Sequence, residues 1–179
     1  AYYSPEVMRT KGQTDIYSRR LGWDITDYGA GKFNEMGLYL FTVRNGAFDD
    51  LARGKGMLYA EKIMITRENQ LSPMHRHDLK AEDIINRGGG DLIIQLFAPD
   101  EALNIDRQSK VTVPVDGEMR TVDAGGHLRL KVGESVTLMP GVWHAFWAEK
   151  GDCVIGCLLY TSDAGDEGLG VDVGGRRII

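Results

Sequence analysis

A repeating pattern of short apolar segments and turn residues limits what this chain can fold into. From Gly37 to Tyr160, segments rich in β-branched and other apolar residues recur about every ten positions, separated by glycine, asparagine, aspartate or proline. The first of them, Leu38 to Arg44, stops at Asn45-Gly46, a dipeptide typical of tight turns between strands. This spacing predicts an all-β sandwich or barrel.

The same pattern gives the other predicted strands, which are Met57–Arg67, Met74–Leu79, Leu92–Phe97, Leu128–Val132, Ser135–Met139, Ala145–Glu149 and Cys153–Tyr160. Lys110 to Val122 predicts a hairpin around the two-residue turn Asp116-Gly117. Pro114 predicts that its strand lies at an edge, because proline cannot donate to a strand ladder. We interpret Gly88-Gly89-Gly90 as a tight turn between strands, since the lysine and hydroxyl residue of a phosphate loop do not follow it.

Both ends of the chain differ from this central region. Residues 1–36 are mixed in composition, and Ser4-Pro5-Glu6 provides the N-cap, proline and acid of a short helix. We predict there a short helical and otherwise irregular segment packed on a barrel formed by residues 37–160. Residues 161–179 are polar and glycine-rich, which favours a loop or lid over the open barrel end, with a disordered tail as the alternative. A length of 179 residues fits one domain.

Charge and hydropathy argue against nucleic-acid and membrane partners. The net charge is -5, so we expect no broad basic surface for nucleic acid. No apolar run approaches the roughly 20 residues that span a bilayer. The first residues also lack the charged and apolar regions of a signal peptide. These features lead us to expect no nucleic-acid partner and no membrane partner.

The two cysteines indicate a reducing compartment. Cys153 and Cys157 fall on the same face of one predicted strand, about 13 Å apart at roughly 3.3 Å per residue, which is too far for a disulfide. Neither cysteine is flanked by a base that would activate it as a nucleophile. We therefore expect two buried apolar thiols in a cytoplasmic protein.

Three histidines and a glutamate form the candidate chemical site. His75 and His77 are two residues apart, which on a strand places both side chains on one face. Glu82 follows five positions later, and His144 comes after the turn signal Pro140-Gly141. Imidazoles with one carboxylate suit a divalent transition metal that keeps coordination sites open for a substrate. We interpret the fourth histidine of the chain, His127, as an ordinary polar residue.

These residues also resemble the two cupin motifs. The stretch from His75 to Gly89 is similar to the first motif, and the stretch from Gly133 to His144 is similar to the second. The chain departs from the motifs at two positions, because Asn69 stands where glycine usually opens the first motif and Ala148 stands where asparagine is common. The four metal ligands that the motifs imply are intact. The departures therefore concern loop detail more than metal binding.

A closer resemblance covers most of the chain. The segments that carry it are Leu21–Asp27, Leu40–Gly46, Tyr59–Lys62, Glu82–Gly90 and Pro140–Trp147, and together they resemble D-lyxose isomerases. The resemblance implies a single-domain cupin, an all-β jelly-roll barrel of the double-stranded β-helix type. It also implies a Mn²⁺-dependent aldose-ketose isomerase that interconverts free D-lyxose and D-xylulose, and often D-mannose and D-fructose. Fe²⁺, Co²⁺ and Zn²⁺ are the alternative ions.

The expected chemistry assigns further roles. Aldose-ketose conversion moves a hydrogen between C2 and C1, and a divalent cation that holds O1 and O2 polarises the carbonyl. Four protein ligands would leave two of six octahedral positions for these oxygens. A general base must also move the C2 proton. Lys62 is our first candidate because a lysine amid apolar strand residues is costly to bury without a role. Glu61 competes with it, since adjacent strand residues face opposite ways.

Three further residues complete the predicted site. Glu167, on the presumed lid, is the weaker candidate for the second proton-transfer group. Arg87 is predicted to orient sugar hydroxyls, with an exposed turn arginine as the alternative. Phe146 shares a strand face with His144 and is predicted to line the substrate site, the core, or both.

The opposite face of the same strand is apolar as well. Trp143, Ala145 and Trp147 point away from the face that carries His144. Apolar bulk on both sides of a strand predicts that a second subunit covers the outer face. We therefore expect a homodimer.

Two other classes of function fit the same ligand set. A cupin non-haem iron oxygenase would consume O2 with Fe²⁺, but a fourth protein ligand leaves less room for both O2 and a bidentate substrate. A non-catalytic sugar-binding cupin would bind sugar without exchanging its C2 hydrogen. A phosphosugar isomerase is a closer variant. No run of Lys and Arg surrounds the predicted barrel mouth, which favours an unphosphorylated sugar.

Overall fold

The fold is known from a computed structural model that describes residues 15–46, 49–54 and 56–161. In chain order its elements are α1 (Asp15–Ser18), β1 (Gly22–Thr26), β2 (Leu38–Asn45), α2 (Asp49–Ala52), β3 (Tyr59–Thr66), β4 (Ser72–His75), β5 (Lys80–Pro99), β6 (Ile105–Asp106), β7 (Val111–Val115), β8 (Glu118–Val122), β9 (His127–Leu130), β10 (Ser135–Leu138) and β11 (Trp143–Thr161). The predicted helix at Ser4 and most of the predicted loop or lid, from residue 162 onward, lie outside the described residues.

Two long antiparallel strands, β5 and β11, organise the barrel. They pair from Trp143 with Phe97 to Thr161 with Lys80, with register shifts between Glu149 and Cys153 and between Val154 and Ile155. Such irregularities bend a strand, and both strands run through them within one continuous sheet. The main path of this sheet, which we call the larger sheet, has the order β1-β2-β3-β11-β5-β10-β7-β8, while β4 and β9 pair with the other halves of β11 and β5. The prediction of an all-β barrel is confirmed.

The triple glycine lies at the bend of β5, so the prediction of a tight turn between two strands was wrong. Gly89 has a φ of +95°, and a Cβ atom added to it would lie 1.9 Å from the carbonyl oxygen of Asp152. A Cβ atom on Gly90 would lie 2.2 Å from the carbonyl oxygen of Glu149. The glycines therefore allow β11 to approach β5 where both strands bend.

Three other local predictions have mixed outcomes. The hairpin at Asp116-Gly117 is confirmed, with positive φ angles of 50° and 86° as two-residue hairpin turns require. Pro114 does not lie in an edge strand, because β7 is flanked by β10 and β8. Residues 22–26, predicted to be irregular, form β1 and pair with β2. Pairing with a distant strand overrode their weak local pattern.

Side chains alternate between the barrel interior and its outer surface. On β3, Ala60 and Met64 are buried whereas Ile63 between them is exposed. The interior is filled by aliphatic side chains of several strands, among them Ile84, Leu92, Ile94, Leu96, Val113, Val115, Leu130 and Ile155. Within the described part of the chain, no helix is long and apolar enough to cross a membrane.

Candidate metal centre

The four predicted ligands meet in the barrel interior. His75 ends β4 and is paired with His144 near the start of β11. Glu82 comes from the larger sheet, in the first half of β5, and faces them from across the barrel. His77 reaches the cluster from the connection after β4. The sequence predicted a strand that continues to Leu79, but the observed strand ends at His75. One ligand atom from each of the four residues lies within 4.8 Å of the others.

Two of the histidine rings are held in a defined tautomer. Nδ1 of His75 lies 2.8 Å from the carbonyl oxygen of Pro73, and Nδ1 of His144 lies 3.0 Å from that of Val142. A carbonyl oxygen only accepts, so both Nδ1 atoms donate and the lone pairs of the neutral rings lie on Nε2. Burial, reinforced by the nearby His144, lowers the pKa of His75 to about 3, which keeps this ring neutral at pH 7.

The charges and lone pairs of the cluster favour a bound cation. Oε2 of Glu82 lies 3.1 Å from Nε2 of His144 and 3.3 Å from Nε2 of His77. Both Oε2 of Glu82 and Nε2 of His144 are buried without a hydrogen-bond partner. Lone pairs that face one another in a buried site fit a shared metal ion.

Lys62 and not Glu61 faces the barrel interior. Lys62 is paired with Cys157, which is buried, and shares its face of β3 with the buried Ala60 and Met64. Glu61 points to the outer surface, where it forms an ion pair with Arg44. The alternation of β3 therefore decides between the two candidates that the sequence left open.

Two polar residues near the cluster were not predicted from the sequence. Lys80 is 5% exposed and lies two positions before Glu82 on the same face of β5, so strand alternation counted back from Glu82 would have indicated it. The Tyr28 hydroxyl lies 2.7 Å from Oγ of Ser72. Burial raises the pKa of Tyr28 to about 12, with a smaller contribution from the charge of Glu82. No local pattern could have found Tyr28, because its position depends on how the N-terminal segment packs on the barrel.

The other predicted site residues are placed differently. Arg87 is exposed on the outer face of β5, so the structure does not bring it to the cluster. Phe146 is 2% exposed and lies in the hydrophobic core on the face of His144. His127 is exposed and contacts the ring of Trp147, with ring centres 5.0 Å apart. Glu167 lies outside the described residues.

Both cysteines are buried free thiols, as predicted. Cys157, however, also has a polar contact, because its Sγ lies 3.0 Å from Oε1 of Glu82. Burial and then the charge of Glu82 raise the pKa of the Cys157 thiol well above its usual value. The expectation of a purely apolar role for this residue does not fit the structure.

Comparison with solved structures relates the fold to sugar isomerases. The L-ribose isomerase of Cellulomonas parahominis matches with a TM-score of 0.56 at 15% identity, over 88% of this chain and 78% of that chain. The L-ribose isomerase of Acinetobacter sp. DL28, in complex with L-ribose, matches with a TM-score of 0.53 at 14% identity, over 78% and 69%. At such low identities the likeness concerns the fold, which is of the cupin type.

Comparison of sequences gives a nearer relationship. The D-lyxose/D-mannose isomerase of Serratia proteamaculans is 44% identical over 168 residues, which cover 91% of this chain and 72% of the relative. The protein of the same name from Escherichia coli O157:H7 is also 44% identical, over 91% of this chain and 73% of the relative. The family model described as D-lyxose isomerase matches residues 1–168. The chain therefore belongs to the D-lyxose isomerase family.

Proposed function

We propose that this protein is a metal-dependent aldose-ketose isomerase that interconverts D-lyxose with D-xylulose and D-mannose with D-fructose. The observation that carries the proposal is the cluster of His75, His77, Glu82 and His144 inside the barrel of a member of this family. The names of the two 44% identical relatives support these sugars. We propose Mn²⁺ as the native ion, with Fe²⁺, Co²⁺ and Zn²⁺ as alternatives that the same donor set accepts.

The four side chains of the cluster would hold the ion. Bound there, a divalent cation supplies Lewis acidity that polarises the sugar carbonyl. The rings of His75 and His144 are oriented for this role by their Nδ1 hydrogen bonds to backbone carbonyl oxygens. Such preformed orientation means that the site does not have to reorganise these rings when it binds the ion.

Proton transfer would fall to residues beside the cluster. Lys62 faces the interior from β3, and we propose that it moves the proton between C2 and C1 or acts on the sugar oxygens. Lys80, buried beside Glu82 on β5, is a second candidate that the structure adds. We retain Glu167 as a candidate acid and Phe146 as an apolar wall of the substrate site. Arg87 is exposed on the outer face of β5, so we propose no role for it in binding the sugar.

We also propose that the protein is a homodimer formed through the outer face of the larger sheet. The following apolar side chains on β1, β3 and β11 are 40–61% exposed: Trp23, Ile25, Ile63, Val154 and Tyr160. Phe41 on β2 joins them, with its ring centre 5.1 Å from that of Trp23. Exposed apolar side chains grouped on one face of a sheet, here beside the charged residues Glu61, Arg44 and Arg87, are typical of subunit interfaces. We call these six residues the outer apolar face.

A cytoplasmic location completes the proposal. Both cysteines are free thiols, as is usual for proteins of a reducing compartment.

Isotope exchange tests the proposed reaction. Mn²⁺-loaded protein is incubated with D-lyxose, D-mannose and other free aldoses in D2O, and ketose yield and deuterium at C1 and C2 are measured together. We expect D-xylulose from D-lyxose, with deuterium uptake if an enediol forms and none if hydride shifts directly. Sugar binding without ketose would indicate a binding protein. O2 consumption with Fe²⁺ would indicate an oxygenase, and turnover of phosphorylated sugar alone would indicate a phosphosugar isomerase.

A further inference from the structure

A buried thiol contacts the carboxylate of the candidate metal centre. Cys157 lies on β11, between the strands that carry Lys62 and Glu82. Its side chain is 2% exposed, and its Sγ lies 3.0 Å from Oε1 of Glu82. An ionised carboxylate only accepts hydrogen bonds, so the thiol must be the donor in this contact.

The two carboxylate oxygens of Glu82 therefore have different neighbours. Oε2 faces His77 and His144, at 3.3 Å and 3.1 Å from their Nε2 atoms. Oε1 points the other way, toward Cys157. Oε2 has no hydrogen-bond partner, whereas Oε1 has one. A carboxylate held in this manner offers one oxygen to the cluster and keeps the other occupied.

From this geometry we infer that Cys157 is a positioning residue that holds Glu82 as a one-oxygen ligand of the metal centre. The inference rests on the proposed metal-dependent function. Groups that hydrogen-bond a metal ligand fix its orientation and thereby raise the affinity of the site for its ion. Without the thiol, the carboxylate is free to rotate and to offer both oxygens, which changes the coordination as well as the affinity.

The test compares two substitutions of nearly equal volume. Cys157→Ala removes the donor, whereas Cys157→Ser replaces the thiol by a hydroxyl that still donates. Metal-free protein is titrated with Co²⁺, and both the dissociation constant and the visible absorption of the bound ion are recorded. We expect Cys157→Ala to bind Co²⁺ roughly 10 to 100 times more weakly, with an altered spectrum. Cys157→Ser should stay closer to the wild-type protein in both measurements.

Cys153→Ala provides a matched control. Cys153 is equally buried on β11, four residues from Cys157, and its sulfur has no described contact with Glu82. This variant should bind Co²⁺ with wild-type affinity and spectrum. Thermal unfolding of each metal-free variant verifies that it is folded before titration.

The other possible results of these titrations would contradict the positioning role of Cys157. Wild-type affinity and spectrum in Cys157→Ala would overturn the positioning role while leaving the metal centre intact. Equal losses in Cys157→Ala and Cys157→Ser, or in Cys153→Ala, would assign the effect to packing and overturn it as well. A wild-type protein that bound neither Co²⁺ nor Mn²⁺ would overturn the proposed metal centre and this inference together.

Discussion

At the scale of single residues, the candidate centre depends on neutral rings and an ionised carboxylate in a site shielded from water. Glu82 is 4% exposed and His144 is 1% exposed, so hydration contributes little to either group. Their facing lone pairs repel each other until a cation lies between them. We therefore expect the removal of any one of the four ligands to weaken metal binding.

His77→Ala should lose metal and activity together. His77 supplies one of four donor atoms, so its loss should weaken metal binding by more than the roughly 10- to 100-fold expected for groups that merely hydrogen-bond a ligand. Metal content after dialysis and ketose formation are the measurements. His127→Ala is the matched control, because His127 is exposed and lies outside the cluster. Full metal occupancy in His77→Ala would refute the ligand assignment.

Lys62→Ala should keep the metal but lose most turnover. Loss of a positioned acid or base typically costs about 10²- to 10⁴-fold in rate, and Lys62 contributes no donor atom to the four-residue cluster. Metal content and kcat are measured on the same preparation. Glu61→Ala, which changes the neighbouring residue on the outer face, should turn over normally. If Lys62→Ala turns over at the wild-type rate, this lysine has no part in the mechanism.

At the scale of elements, the bends of β5 and β11 bring the ligands together. The first half of β5 carries Glu82, while the first half of β11, which pairs with β4, carries His144. Between these halves the two strands shift register near Gly88-Gly89-Gly90 and Lys150-Gly151, which bends them and lets the two residues meet. The glycine run thus acts on the site through the barrel geometry, although it does not contact the cluster.

Gly89→Ala should destabilise the protein. The φ of +95° at Gly89 is strained for alanine, and the added Cβ would lie 1.9 Å from the carbonyl oxygen of Asp152. The expected loss is at least about 1–3 kcal/mol of unfolding free energy, measured by urea denaturation. At Gly88 an added Cβ meets nothing within 4 Å, so Gly88→Ala should stay within about 0.5 kcal/mol. Equal stability of the two variants would contradict this account of the bend.

At the scale of the whole molecule, the outer apolar face leaves large apolar side chains of the described residues exposed to water. Its residues lie on one side of the neighbouring strands β1, β2, β3 and β11, with Trp23, Phe41 and Ile63 in direct register. Stable interfaces bury roughly 800 Å² on each partner, with an apolar centre. A second copy of the chain would cover such a surface symmetrically.

Ile63→Arg should shift the protein from dimer to monomer. Ile63 is 41% exposed within the outer apolar face, where burying a guanidinium against a second subunit would cost desolvation energy. Sedimentation velocity at several concentrations measures the shift. Met119→Arg is the control, because Met119 is 65% exposed on β8, at the other end of the sheet. A wild-type protein that sediments as a monomer, or an Ile63→Arg variant that remains dimeric, would contradict the proposed interface.

The sequence by itself determined the all-β class, the Asp116-Gly117 hairpin and the identity of four side chains that the fold brings together. These features follow from local rules, because strand alternation and turn dipeptides are properties of neighbouring residues. His77 was assigned to the cluster for a partly wrong reason, since it reaches the site from a connection and not from a strand.

Only the tertiary structure decided the rest. It replaced the glycine turn with a bend, selected Lys62 over Glu61, and turned Arg87 away from the cluster. It also brought Cys157 within 3.0 Å of Glu82, although 75 positions separate them in the chain. Each of these outcomes depends on which distant strands pair and in what register, and residues close in sequence do not specify that pairing.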